Sequence, residues 1–318
     1  MWKLYMQKQR VIAGATGVIG QFLTQRWLAA GYDIVAIGRD KKKIINTFGE
    51  KVKAITWNEL KAADLAQAEV IINLTGAGIG EQRWTSARKR EIILSRVEST
   101  QRLVELCKQL GKESPALFNA SAIGVYGLQT EYENELPTAY DEDTPINFQQ
   151  ANDFLADVGR AWELAAKPAE DAGIRVVYLR FAVVLAAQGG ALQRIALPFK
   201  FGLGGPIGSG NQPFCWVSLI DLAAAIEFLI PKSEIKGAVN IVAPECVAQK
   251  QFAKTLGKIL QRSSIIPTPA WILKLIFGQM AEELLLKGQH VTPMRLQKMG
   301  FTFQYPTIEA ALKAIYYK

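Results

Sequence analysis

A doubly wound parallel α/β sheet with a smaller C-terminal lobe is the fold class this sequence predicts, on three observations. Short, almost wholly apolar β-rich runs recur through the first half, at 10–13, 34–37, 52–57, 70–74, 116–120 and 175–179. Helical patterns fill intervals between them, at 19–30, 89–110 and 153–172. Strands that are apolar on both faces and alternate with helices make a parallel sheet covered on both sides. The third observation is punctuation. Gly31, Gly111 and Gly173 each follow a helical run, where the left-handed stop of a helix favours glycine.

The 318 residues are 49% hydrophobic and 21% charged. That balance supplies an ample core and excludes disordered, collagen-like and small disulfide-scaffold classes. At about 100–200 residues per domain, two closely joined lobes are expected. The first covers 1–181, with 216–242 returning to it, and the second covers 182–318. After 181 the pattern changes. Residues 202–210 hold five glycines and a proline, which reads either as a flap over a cleft or as a static surface turn. Residues 217–230 read as a strand end and a helix that bring the chain back to the sheet. The tail from about 247 is helical, broken by Pro267, Pro269, Pro293 and Pro306.

Several function classes drop out. Cys107, Cys215 and Cys246 are odd in number and lack CxxC spacing, so neither a disulfide framework nor a zinc site is expected. His290 is the only histidine, which argues against His-rich metal sites and serine triads, and a structural role is expected for it. No metal is expected. The net charge of +8 comes from scattered lysines and arginines without a nucleic-acid motif, so no nucleic-acid partner is expected. The first residues lack the apolar core of a signal peptide, and Met1 and Met6 are both open as starts. The apolar stretches 176–187 and 271–277 contain Arg180 and Lys274 and fall short of the roughly 20 residues of a membrane span. A soluble, cytoplasmic chain without a membrane partner is expected, as a monomer or homodimer.

The sharpest motif is Gly14-Ala15-Thr16-Gly17-Val18-Ile19-Gly20, directly after a predicted strand and before a predicted helix. Glycines there permit a tight turn, close approach of a pyrophosphate and close helix–sheet packing. The helix N-terminus then offers unpaired N–H groups and a partial positive charge. Gly14, Thr16, Gly17, Val18, Ile19 and Gly20 are therefore assigned to binding a dinucleotide, which makes the first lobe Rossmann-type. The end of the second strand selects the nucleotide. Ile37-Gly38-Arg39-Asp40 has glycine where an NAD-binding chain places an acid for the ribose 2′-OH. Arg39 can instead bind a 2′-phosphate through charge-assisted hydrogen bonds, with Lys41 and Lys42 adding to the field. Asp40 is the counter-argument, but it stands where a helix N-cap is wanted. NADP(H) is favoured over NAD.

The GxxGxxG spacing resembles that of the short-chain dehydrogenase/reductase superfamily, and the chain is similar to its extended branch, the NAD-dependent epimerase/dehydratases. Asn73-Leu74-Thr75-Gly76-Ala77 looks like the superfamily's NLAG-type segment, which implies that Leu74, Thr75 and Gly76 line the cofactor. Gly80-Glu81-Gln82-Arg83-Trp84-Thr85 and the run from Ser95 to Thr100 are similar to an atypical group known as sugar-nucleotide epimerase-like. Further matches are Ser121-Ala122-Ile123-Gly124-Val125-Tyr126-Gly127, the run from Asp153 to Ala156, Trp162-Glu163, Gly208-Ser209-Gly210 and the run from Trp216 to Asp221. Residues 278–286 and 300–306 fit that group's closing domain, so the resemblance spans almost the whole chain.

Typical superfamily members use a YxxxK pair, in which Lys lowers the Tyr pKa from about 10 toward neutrality so that Tyr can exchange a proton with substrate. None of the nine tyrosines here has a lysine four residues on, and the missing pair aligns near Phe154 and Val158. The atypical group shares this departure. Ser121 stands where the family's Ser or Thr hydrogen-bonds the substrate oxygen, and Tyr126 aligns with a tyrosine beside the substrate. These two are the candidate catalytic residues. Arg83 and Trp84 are candidates for an anionic or planar substrate group, or else form a structural lid. Glu163 and Asp157 read as surface or ion-pairing residues, Arg180 as a buried anchor and Asp221 as structural. The resemblance implies an NADP(H)-binding oxidoreductase or epimerase-like protein acting on a small polar substrate, nucleotide-linked ones included. The alternative is a non-catalytic NADP(H)-binding sensor or partner-docking protein.

Overall fold

Seven parallel strands carry the core. The computed structural model describes residues 8–129 and 136–317, so both candidate starts, Met1 and Met6, lie outside the described residues. Along the chain come β1 (Gln9–Ala13), α1 (Val18–Ala29), β2 (Asp33–Gly38), α2 (Lys41–Phe48), β3 (Lys53–Thr56), β4 (Ala68–Asn73), α3 (Ser86–Leu110), β5 (Ala116–Ala122), α4 (Phe154–Asp171) and β6 (Val176–Phe181). The second half holds β7 (Val183–Leu185), α5 (Gly190–Lys200), β8 (Pro213–Phe214), β9 (Trp216–Ser218), α6 (Leu219–Leu229), β10 (Gly237–Ile241), β11 (Val247–Ala248) and α7 (Gln249–Leu260). The chain closes with α8 (Ala270–Phe277), α9 (Gln279–Ala281), α10 (Met294–Lys298) and α11 (Ile308–Tyr316).

The sheet order is β10-β6-β5-β4-β1-β2-β3. Alternation along each strand sends side chains to opposite faces. Ile12, Ile34 and Ile72 pack beneath α1 and α6 with Trp27 and Leu222, whereas Val11, Val35 and Ile71 pack against α3 and α4 with Leu103 and Ala166. Because β1 lies between β2 and β4, strand order reverses there, which opens a crevice beyond the carboxyl ends of those strands. Registers of Ala13 with Ile37 and with Asn73 bring the three strand ends level. Gly31, Gly111 and Gly173 all have positive φ and end their helices as the sequence predicts.

The return to the sheet differs in detail from the expectation. The run Trp216-Val217-Ser218 is a strand, but it pairs in parallel with β7 outside the main sheet. What returns is α6, capped by the Ser218 hydroxyl, and then β10, which adds to the edge beside β6. An apolar triplet identifies a strand but not its partner. The second lobe has its own core, where Phe252, Leu256, Trp216 and Leu312 are buried together. Residues 202–210 are tied down along their length. Ile266 N donates to Gly204 O (3.2 Å), Thr268 N to Pro206 O (2.8 Å), Gly208 N to Thr268 O (3.0 Å) and Ile207 N to Gln249 Oε1 (2.8 Å). Of the two readings for this loop, these bonds fit the static turn.

Candidate functional site

The glycine turn opens the crevice. Gly14 has φ +83°, and a Cβ there would lie 3.0 Å from the Leu74 carbonyl, so the end of β4 closes against the end of β1. A Cβ on Gly20 would run into Gly14 O and the Ala15 backbone, which fixes how tightly α1 sits on the turn. Gly17 differs. A Cβ on it would meet only Gly14 O at 3.4 Å and otherwise enter open space. Gly17 is also the N-cap of α1, with no side-chain cap and no acidic residue in the first turn. The leading amides of α1 around Val18 and Ile19 therefore lack side-chain partners, the arrangement that receives an anion. Gln21 Nε2 donates to Thr16 O (2.7 Å) and steadies the turn.

At the end of β2, Gly38 packs under Ile44 and Arg39 is exposed. Asp40 is the N-cap of α2 and accepts from Lys43 N (3.1 Å). Its carboxylate is thus committed to the helix, as the sequence suggested. Lys41 pairs with Glu59 (3.1 Å).

Beyond β4 the chain is held by side chains. Buried Asn73 donates to Asn119 Oδ1 (2.7 Å) and Thr100 Oγ1 (2.9 Å), and Thr75 Oγ1 lies 2.6 Å from Ser99 Oγ. Four successive carbonyls are then taken from outside. Arg96 Nη1 donates to Ala77 O (3.0 Å), Arg88 Nη2 to Gly78 O (2.5 Å), Trp84 Nε1 to Ile79 O (2.8 Å) and Arg194 Nη1 to Gly80 O (2.7 Å). Arg96 lies against Gly76, where a Cβ would come within 2.8 Å of its guanidinium carbon, and over the Trp162 ring at 4.7 Å. Burial pulls the Arg96 pKa down to about 10. Sequence reading passed over Arg88, Arg96 and Arg194. Arg88 and Arg96 are basic residues in a stretch crowded with exposed ones and carry no mark of burial, and exposed Arg194 reaches Gly80 from 114 residues away.

The two candidate catalytic hydroxyls belong to one buried network. Ser121 Oγ, at the end of β5, donates to Glu163 Oε1 (2.7 Å). Arg180 grips Glu163 at both oxygens, Nε to Oε1 (2.8 Å) and Nη2 to Oε2 (2.9 Å), and its Nη1 donates to Tyr126 OH (2.9 Å). Tyr126 in turn donates to Asn240 Oδ1 (2.8 Å) and stacks on Tyr140 at 5.5 Å. Burial raises the Tyr126 pKa, and the Arg180 charge offsets this only in part. Burial opposes the charge on Arg180, but its bonds to Glu163 outweigh that and raise its pKa. Arg180 is the buried anchor expected. Glu163 is ion-paired and buried rather than on the surface, and Asp157 is exposed, 3.8 Å from Arg160.

Phe154 and Val158, the positions where the resemblance implies a missing Tyr-Lys pair, sit in an apolar cluster with Trp84, Ile92 and Met280. Trp84 meets Phe154 edge-on at 4.7 Å and is 8% exposed, so its face points into the protein. Arg83 is exposed and lies over Gly278 of the second lobe. The second lobe also reaches the glycine turn, because a Cβ on Gly189 (φ +71°) would touch Val18 at 2.8 Å. Asp221 accepts from Gln304 N and Tyr305 N, and His290 Nδ1 lies 2.7 Å from Pro137 O, both structural roles. No group of His, Cys, Asp and Glu that could hold a metal occurs among the described residues.

Residues 10–242 match the NAD dependent epimerase/dehydratase family, and residues 268–315 match a domain of unknown function, DUF1731. The chain belongs to the NAD dependent epimerase/dehydratase family. Human epimerase family protein SDR39U1 is 34% identical over 96% of this chain and 98% of its own length. Epimerase family protein SH2119 of Staphylococcus haemolyticus is 35% identical with the same coverage. The crystal structure of human SDR39U1 (isoform 2) with NADPH superposes with a TM-score of 0.84, covering 98% of this chain and 99% of that one. A nucleoside-diphosphate sugar epimerase from Corynebacterium glutamicum, 28% identical, gives 0.75 over 98% of this chain and 59% of its own. The Rossmann-type fold is thus shared with the family.

Proposed function

We propose that this chain binds NADP(H) across the ends of β1, β2 and β4, and that it is an oxidoreductase or epimerase-like protein. Its substrate is small and polar, nucleotide-linked compounds included, and sits between the sheet and the second lobe. One observation carries the reading: the open space above Gly17 faces the uncapped start of α1, with exposed Arg39 beside it in place of an acid. The pyrophosphate would rest on the amides of Thr16, Val18 and Ile19 over the open face of Gly17, whose own amide bonds Gly14 O (3.0 Å), with Gly14 and Gly20 keeping the turn tight. Arg39 would take the 2′-phosphate, and Leu74, Thr75 and Gly76 would line the nicotinamide half. The NADPH in the human relative's crystal structure supports this choice of cofactor.

Bound NADPH would supply a hydride to a substrate carbonyl carbon, and an ordered water would supply the proton to its oxygen. Ser121 Oγ, its own proton donated to Glu163 and that carboxylate fixed by Arg180, would accept a hydrogen bond from a substrate hydroxyl or from that water. Tyr126 would position Arg180 rather than donate a proton, since burial drives its pKa up, away from neutrality. Arg83 would meet an anionic substrate group at the rim. Trp84 would act through Ile79 and the Phe154 cluster. A second reading, a non-catalytic NADP(H) sensor or docking protein, is favoured by the apolar residues at 154 and 158 and by the internal use of both hydroxyl protons. Single-turnover oxidation of NADPH with a panel of ketones and nucleotide sugars separates the two. Turnover lost in Ser121→Ala supports the first reading, and complete inertness with intact NADPH binding supports the second.

A further inference from the structure

Eight of the eleven large apolar side chains that are exposed among the described residues fall between 197 and 276. They form one face. Leu197 lies in the last turn of α5, Phe201 and Leu203 follow it, Ile265 and Ile266 lie in the segment before α8, and Trp271, Leu275 and Ile276 project from α8, of which only Leu273 is buried. Hydrogen bonds of Gly204, Pro206 and Gly208 with Ile266 and Thr268 bring the two segments side by side. Phe201 is 73% exposed, Ile265 81%, Trp271 68% and Leu275 72%. With aromatic side chains alone presenting roughly 150–250 Å² each, the face exceeds the few hundred Å² of apolar patch usual on a monomer.

The segments that build this face carry charge of one sign. No acidic residue occurs between Asp171 and Asp221, nor between Glu245 and Glu282, while those two stretches hold nine of the 37 basic residues. Arg175 and Arg180 of these belong to the main sheet, which leaves seven basic residues and no acidic one in the segments from α5 to β9 and from α7 to α8. Lys200, Lys254, Arg262 and Lys274 are exposed on it, and of these Lys274 has a distant carboxylate, Glu282 at 3.8 Å. Two copies meeting through this face would set like charges against each other. An occupant with an apolar interior and an anionic surface satisfies both properties at once. Exposed Trp and aliphatic side chains interleaved with Lys and Arg are the composition of elements that lie in a bilayer interface.

We propose that this face docks on the surface of an anionic lipid bilayer, with Trp271, Leu275 and Phe201 entering the headgroup boundary and the basic residues on lipid phosphates. No helix among the described residues is long and apolar enough to cross a membrane, so the chain would lie on the bilayer, and the expectation of no membrane partner is revised to that extent. Helix α5 runs from the turn at Gly189, against Val18, to this face, which would set the crevice about 16 Å from the lipid. The test is flotation of the full chain with phosphatidylcholine vesicles, with and without phosphatidylglycerol. Binding at least tenfold stronger to the anionic vesicles is expected, and it should weaken with salt. The double variant Trp271→Ser, Leu275→Ser and the double variant Lys200→Glu, Arg262→Glu should both lose it while keeping wild-type NADPH affinity, which controls for folding. Equal binding to both vesicle types, or none to either, overturns the proposal. A concentration-dependent dimer that the Trp271→Ser, Leu275→Ser variant abolishes would assign the face to a second copy instead.

Discussion

Replacing Glu163 with glutamine keeps the shape of the side chain and removes its charge. In the native network its two oxygens accept from Ser121 Oγ and from Arg180 Nε and Nη2, at 2.7–2.9 Å. Both partners of the ion pair are about 5% exposed or less. After the change Arg180 is a buried cation whose remaining acceptors are the neutral glutamine Oε1 and Tyr126 OH, and one of its donors faces an NH2 group. Breaking a buried pair from one side costs about 3–5 kcal/mol, because the other charge is left uncompensated in a low-dielectric site. That is a large part of the 5–15 kcal/mol that holds a typical protein folded. Guanidinium denaturation followed by fluorescence and circular dichroism measures it as a fall in the midpoint. Arg180→Met should lose a similar amount. The double variant Glu163→Leu, Arg180→Met should lose less than either single one, since no buried charge remains and only Ser121 is left without its acceptor. Single-variant losses below about 1 kcal/mol, or losses that simply add in the double variant, would refute the buried-pair argument.

The glycine turn separates fold from function. Gly14→Ala forces a side chain to positive φ against Leu74 and should cost roughly 1–2 kcal/mol of stability. Gly17→Ala has ordinary φ and should leave the denaturation midpoint unchanged while weakening NADPH at least tenfold by titration, the Cβ occupying the space above the turn. Alkaline stability should also fall. Burial raises the pKa of Tyr126 and of Tyr178, the latter with help from Glu170, while an unfolded tyrosine ionises near pH 10. Their contribution is therefore whole below about pH 10 and is lost above it, where the unfolded chain releases protons that the folded chain retains. Denaturation midpoints from pH 8 to 11 should drop, and less steeply in Tyr178→Phe. A flat profile would contradict the burial of these phenols.

Local chemistry was legible in the sequence where one residue decides a conformation. The positive φ of Gly14 and Gly31 and the cap at Asp40 follow from the residue types alone. Strands β1, β2, β4, β5 and β6 were visible because burial on both faces makes them almost wholly apolar. The placement of β9 and β10 was not, since periodicity carries no information about which strand lies alongside. The candidate site divides in the same way. The phosphate turn is contiguous and could be read directly. The Ser121–Glu163–Arg180–Tyr126 network joins a strand end, a helix interior, a second strand and a short turn, and only the fold brings them together. Trp84 is a sequence candidate for a planar substrate group, yet its ring is buried against Phe154. Placed just before Thr85, the N-cap of α3, it turns inward against Phe154, and apolar residues before an N-cap commonly pack back in this way.

Fluorescence titration with NADPH and NADH, on the wild-type chain and on Arg39→Ala, tests the central claim most directly. Micromolar NADPH binding with NADH at least tenfold weaker is expected, a gap of about 1.4 kcal/mol or more from one charge-assisted contact. Arg39→Ala should bring NADPH down to the NADH level and leave NADH unchanged. Equal or tighter binding of NADH to the wild-type chain would contradict Arg39 as the selector, and failure of both nucleotides to bind would contradict the assignment of the crevice itself.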